Sequence, residues 1–199
     1  MALASHQPVD EDDKPGVRRA AVALIFRVVS DGELELLLIK RAEYPGDPWS
    51  GQVAFPGGRE EVADASLAET AIREAREETG IDLTREGTIL GRLDDLRPRS
   101  TGIPAIVVRP FVALLERDDP LELSSEVALA FWVPFGSLAR TDAWRNDTVF
   151  ARGIQINARV FRHEDHIVWG MTERILTQLV ELVGEAGSGK GEAGTTTPH

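Results

Sequence analysis

Ser66-Leu67-Ala68-Glu69-Thr70-Ala71-Ile72-Arg73-Glu74-Ala75-Arg76-Glu77-Glu78-Thr79-Gly80 is the stretch on which the reading of this chain turns. Ser66 with Glu69 three residues later is a capping box, in which each side chain satisfies a backbone N–H that the first helical turn leaves unpaired. Leu67, Ala68, Ala71, Ile72 and Ala75 then recur at helical spacing and supply one apolar stripe. Gly80 stands where a helix ends in the left-handed conformation. Glu74 and Glu78 are four residues apart and Glu74 and Glu77 three apart, so the three carboxylates crowd onto roughly one face. Like charges at that spacing cost a few tenths of a kcal/mol per pair unless something neutralises them. A divalent cation does so, and oxygen-rich sites suit Mg²⁺ or Mn²⁺. The plainer alternative is a solvated helix face with Arg73 and Arg76 paired to their neighbours.

Outward from this helix the period changes. Ala20 to Val29 is apolar and β-branched, Asp31-Gly32 is a hairpin signal, and Leu34 to Ile39 resumes the apolar run, which predicts an antiparallel pair. After a Pro- and Gly-rich loop, Gln52 to Phe55 reads as a short strand closed by Pro56-Gly57-Gly58. Further strands are expected at Gly87 to Leu93, Ile106 to Leu115 and Val127 to Val133, and a last helix from about Thr172 to Val183. Helices interspersed with hairpin-like strands imply the α+β class, a mixed sheet flanked by helices.

At 199 residues and 42% hydrophobic content the chain suits one core. Residues 1–17 and 185–199 are polar or Gly- and Thr-rich and read as flexible tails around a domain spanning 18–184. No apolar run is long enough for a membrane span or a secretory signal, so a cytoplasmic protein without membrane partners is expected. Cys is absent, which leaves carboxylates and four His as metal ligands. A net charge of -11 argues against a general nucleic-acid binder, while a bound cation or local Arg still admits a small phosphate ligand.

The helix residues resemble the Nudix hydrolases, whose signature reads G-x5-E-x7-R-E-U-x-E-E-x-G-U with U aliphatic. Arg73, Glu74, Ala75, Glu77, Glu78, Gly80 and Ile81 match its second half one by one. In the first half, the usual spacing puts Ala65 and Arg59 at the acid and the glycine. Aligning Gly58 as the glycine puts the acid on Asp64, with one extra residue before Arg73. This longer spacer is similar to the coenzyme A pyrophosphatase branch. So are Leu37-Leu38-Ile39-Lys40-Arg41 followed by Gly51-Gln52-Val53-Ala54-Phe55-Pro56-Gly57-Gly58, then Phe131-Trp132-Val133-Pro134 and Trp169-Gly170-Met171-Thr172. The branch's second arginine after Arg41 is missing from Glu43-Tyr44-Pro45-Gly46-Asp47-Pro48-Trp49. Arg97 and Arg99 are candidates for that charge, with exposed loop arginines as the equal alternative.

The resemblance implies an α/β/α sandwich and a metal-dependent attack of water on one phosphorus of a diphosphate. Glu74, Glu77 and Glu78 are then the metal ligands, with Mg²⁺ or Mn²⁺ as cofactor. Arg73 orients the glutamates, Gly57 and Gly58 shape the turn toward the metal, and Arg41 faces the substrate. The general base is a helix glutamate or Glu126, whose plainer reading is a surface residue at a strand start. His163 and His166 read as a polar turn. The expected substrate is coenzyme A or an acyl-coenzyme A. Its alternatives are another nucleoside diphosphate derivative such as ADP-ribose, a nucleoside diphosphate sugar or a dinucleotide, or a non-catalytic nucleotide-binding module. Dimers are common among such folds, so a homodimer stays open. Because Glu78 is read as a helix-surface carboxylate, Glu78→Gln is expected to depress turnover by orders of magnitude with little effect on folding.

Overall fold

Strands buried on both faces need apolar residues at every position, and that explains the uninterrupted runs between Ala20 and Ile39. The computed structural model describes residues 2–11, 16–46, 49–98, 105–117, 119–151 and 153–188. In chain order these hold α1 (Ala2–Ser5), β1 (Arg18–Val28), β2 (Leu34–Arg41), β3 (Val53–Ala54), β4 (Gly57–Arg59), α2 (Leu67–Thr79), α3 (Leu83–Glu86), β5 (Gly87–Arg92), β6 (Ile106–Leu115), β7 (Val127–Pro134), α4 (Phe135–Leu138), β8 (Trp144–Ala151), β9 (Ile154–His163), β10 (His166–Trp169) and α5 (Gly170–Ser188).

The main sheet runs β3-β2-β1-β6-β5, with β4 also paired to β1 and β7 to β2. Only β1 and β6 run parallel within it, so the sheet is mixed, as expected. The β1–β2 hairpin is set by Phe26 opposite Leu36, and Gly32 takes a left-handed φ of 85° at the turn. Alternate side chains of β1 divide between two cores. Ala21, Ala23 and Ile25 pack with Leu67, Ala71 and Ala75 of α2. Leu24 and Phe26 pack with Ile175, Leu176 and Leu179 of α5 on the other face. Helices therefore flank the sheet on both sides.

Three features differ from the sequence reading. Pro56-Gly57-Gly58 is not a closing turn: Gly57 and Gly58 lie in β4, opposite Val22 and Ala21 of β1. A Cβ on Gly57 would stand 2.4 Å from the Ala21 carbonyl oxygen, so the close approach of β4 requires glycine. Residues 144–169, in which only the His163–His166 turn was read, form a second sheet of order β10-β9-β8. The His163–His166 segment is a turn, with Glu164 at φ 51° and both imidazoles stacked on Phe131. The N-terminal segment read as a flexible tail is docked over residues 2–11 through Val9, Asp10 and Glu11. Asp10 meets Arg92 of β5 and Arg109 of β6, Glu11 meets Arg97, and the Val9 and Glu11 N–H groups donate to Asp94 and Asp95. No described helix is long and apolar enough to cross a membrane.

Candidate active site

The Ser66 Oγ accepts the Glu69 N–H at 3.3 Å, Glu69 Oε2 reaches back to the Ala65 N–H at 2.9 Å, and Gly80 closes α2 at φ 80°. With its ends fixed and its apolar stripe on β1, the helix has one rotational setting. That setting turns Glu74 and Glu78 toward β4. Glu78 is 3% exposed, its Oε2 accepts the Gly57 N–H at 2.9 Å, and Arg41 Nη1 lies 3.8 Å from its Oε1. Gly58 backs onto Glu74 so closely that a Cβ there would sit 2.2 Å from Glu74 Oε1.

Burial pushes the Glu78 carboxyl from its ordinary 4.5 up to about 7, against the Gly57 N–H, and the charges of Glu74 and Glu126 push the same way. Glu74 is also raised, by burial first, with Glu77 and Glu126 adding to it against Arg73. Glu126 thus acts on both helix carboxylates. It is brought to them by the bond from the Ala42 N–H to its carbonyl at 2.8 Å and by the Ser124 N–H bond to the Glu78 carbonyl at 3.1 Å. Tyr44 ties the same corner down, its hydroxyl donating to the Ser125 carbonyl at 3.0 Å.

Arg73 holds the cluster from the other side. Its Nε and Nη2 each donate to Asp64 at 3.0 Å, its Nη1 donates to Glu74 at 2.9 Å and to Glu77 at 3.1 Å, and Nη2 also reaches the Arg59 carbonyl. The guanidinium holds the Asp64 carboxyl well below the usual carboxylate range. Asp64, to which the sequence reading assigned no role, is therefore the anchor of Arg73. The signal was its alignment with the acid of the signature's first half.

Glu77 is 54% exposed at its side chain and turned onto Arg73. Among the described residues no three carboxylate or imidazole groups already converge as a metal cage. The donor set nonetheless fits a hard divalent cation. Its atoms are all oxygen, and its buried carboxylate lies beside two neighbouring negative charges, those of Glu74 and Glu126. Arg97 stands elsewhere, its Nε donating to Glu11 at 2.8 Å, and Arg99 lies outside the described residues. A cleft lined by Leu138, Trp144, Arg145 and Arg159 on the second sheet contains none of these carboxylates.

Residues 17–153 match the family model described as the NUDIX domain, more than half of the chain. The chain belongs to the Nudix hydrolase family. A Nudix hydrolase named NudL from Cronobacter sakazakii is 32% identical over 173 residues, covering 86% of this chain and 87% of its own. Its namesake from Photorhabdus laumondii is 34% identical over 162 residues, with 81% and 83% covered. Among solved Nudix structures, the C. elegans Ap4A hydrolase binary complex aligns with TM-score 0.51 at 27% identity, over 60% of this chain and 82% of that one. The NUDIX domain of Shewanella oneidensis NrtR, solved with ADP ribose, shares the fold with TM-score 0.55 at 18% identity, over 92% and 95%. As a Nudix hydrolase the chain is a pyrophosphohydrolase of phosphorus anhydrides, a class in which divalent metal ions are the general cofactor.

Two predictions arise from this geometry. Gly57 and Gly58 are adjacent yet meet different obstacles, backbone for Gly57 and the movable end of Glu74 for Gly58. Gly57→Ala is expected to cost roughly 2–4 kcal/mol in denaturant unfolding, as overpacking against a fixed strand does. Gly58→Ala should keep most of its stability and lose activity at least tenfold, because it displaces Glu74. Equal losses of stability in both variants would sink this distinction. The second concerns pH. Glu78 binds its proton more tightly folded than unfolded, so its contribution to metal-free stability is fully present below 4.5 and declines as pH rises toward about 7. The decline amounts to roughly 3 kcal/mol at most. Melting in EDTA from pH 4.5 to 8 should show it, and its absence in Glu78→Gln assigns it to this residue.

Proposed function

We propose that this cytoplasmic Nudix hydrolase cleaves the diphosphate linkage of coenzyme A or an acyl-coenzyme A, yielding a phosphopantetheine product and 3′,5′-adenosine bisphosphate. The observation that carries the hydrolytic part is the buried Glu78 beside Glu74 and Glu126, a charge arrangement that bound cation relieves. Glu74, Glu77 and Glu78 would hold Mg²⁺ or Mn²⁺, which when bound neutralises phosphate oxygens and lowers the pKa of coordinated water. Arg73 orients Glu74 and Glu77 through its fork, Gly57 fixes one oxygen of Glu78, and Arg41 sets positive charge beside that carboxylate. Glu126, exposed at the start of β7, is suited to accept the proton of the attacking water, whose oxygen forms the new bond to phosphorus as the bridging oxygen departs.

The coenzyme A assignment is supported by the motif residues Leu37 to Arg41 and Gly51 to Gly58, which form β2, β3 and β4 around the carboxylates. A second reading, another nucleoside diphosphate derivative, is favoured by the likeness to the Ap4A hydrolase. A panel of coenzyme A, acetyl-coenzyme A, ADP-ribose and Ap4A, titrated with Mg²⁺ and Mn²⁺, tests both. Coenzyme A should give the highest kcat/KM. Comparable turnover of ADP-ribose would transfer the assignment to the second reading, and background rates throughout would refute the hydrolytic role.

A further inference from the structure

A second charged cluster lies across β1 from β4. Arg109 of β6 donates through Nε and Nη2 to the two oxygens of Asp95, both at 2.7 Å, and Arg92 of β5 lies 3.8 Å from the same carboxylate. Asp95 has a side chain 1% exposed and is the internal counterion of this pair of guanidinium groups. One carboxylate balances one of two cations. The remaining charge is met by the N-terminal segment. Asp10 Oδ1 bridges Arg92 at 2.8 Å and Arg109 at 2.7 Å, and Glu11 Oε2 accepts Arg97 Nε at 2.8 Å. The Val9 N–H bond to Asp94 Oδ1 at 2.8 Å and the Asp95 N–H bond to the Val9 carbonyl at 3.0 Å tether the segment.

The register relates this cluster to the active site. Ala21 pairs with Gly58 on one side and with Arg109 on the other. Directly paired residues project from the same face of a sheet. A side chain at Gly58 would point into Glu74, and Ala21 packs under α2, so Arg109 leaves the sheet on the face that carries the catalytic carboxylates. Two strand spacings separate it from Gly58, about 10 Å.

We propose that Arg92, Arg97 and Arg109 form a binding site for a further phosphate-type group of the anionic substrate, and that Asp10 and Glu11 fill it in the free chain as a displaceable acidic strap. Asp10 and Glu11 are 61% and 42% exposed at their side chains, so their ion pairs hold the strap weakly. Guanidinium forks that accept a carboxylate accept a phosphate with the same geometry and more oxygens. Asp95, being buried, keeps Arg109 aligned when the strap leaves. The inference rests on the proposed hydrolysis of a diphosphate for the source of that group, but the site is read out without turnover.

The probe is inorganic pyrophosphate, titrated calorimetrically into the full-length chain in EDTA. Asp10→Asn with Glu11→Gln should tighten its Kd roughly three- to tenfold. Adding Arg92→Gln, or separately Arg97→Gln, which does not touch buried Asp95, should cancel that gain while each variant still melts cooperatively. A control pair, Asp119→Asn with Asp142→Asn, removes the same charge elsewhere and should leave Kd within twofold. The proposal is overturned if the strap variant binds like wild type, if the control reproduces the gain, or if the gain survives both arginine changes. A tightened Kd in a chain inactive on every diphosphate would keep the site and sink the proposed function. An active chain with an unchanged Kd would do the reverse.

Discussion

Glu78→Gln is expected to lower kcat by roughly a thousandfold in saturating Mg²⁺ or Mn²⁺, since an interaction worth several kcal/mol in the transition state is removed. Its effect on folding differs from what a surface carboxylate would give. Glu78 is buried and the Gly57 N–H needs an acceptor, which the Gln carbonyl still supplies. Burial and two neighbouring carboxylates oppose the ionised form, so the neutral side chain should raise the melting temperature of the metal-free protein at pH 8. Glu78→Ala loses the acceptor and leaves a void, and should melt below wild type. Near-full activity in Glu78→Gln would remove this residue from the ligand set.

Arg73→Ala is expected to lose both stability and activity. Five donor contacts converge from one guanidinium on Asp64, Glu74, Glu77 and the Arg59 carbonyl, and its removal leaves the Asp64 carboxylate without its cationic partner. Breaking such a pair costs roughly 3 kcal/mol, or about 6–12 °C in Tm for a domain of this size. Glu74 loses its anchor at the same time, so kcat should fall by at least tenfold. Arg73→Lys should recover little, because an ammonium cannot span both Asp64 oxygens and Glu74 together. Asp64→Ala should cost less than Arg73→Ala, and the double variant less than the sum of the two. Strict additivity in that cycle would show that Asp64 and Arg73 act independently.

The helix was readable because its signals are local: a capping serine, an apolar stripe and a terminal glycine lie within one short segment. The same holds for the β1–β2 hairpin and for β6, whose bounds match the apolar runs. The second sheet was not readable. Trp144-Arg145-Asn146-Asp147-Thr148-Val149-Phe150 mixes polar and apolar residues because much of β8 and β9 faces solvent, so no period stands out. The docking of the N-terminal segment was hidden for a related reason, since its carboxylates look solvated until Arg92 and Arg109 arrive from distant strands.

Sequence alone determined the family, the mixed sheet with flanking helices, and the helix that gathers Arg73, Glu74, Glu77 and Glu78, because periodicity and caps are set by near neighbours. Only the tertiary structure decided that Glu78 is buried while Glu77 is exposed, that Asp64 holds Arg73, and that Glu126 bears on the carboxylates. Those properties depend on β4, the segment before β7 and the end of β2 meeting α2, and electrostatic environment belongs to elements that are far apart along the chain.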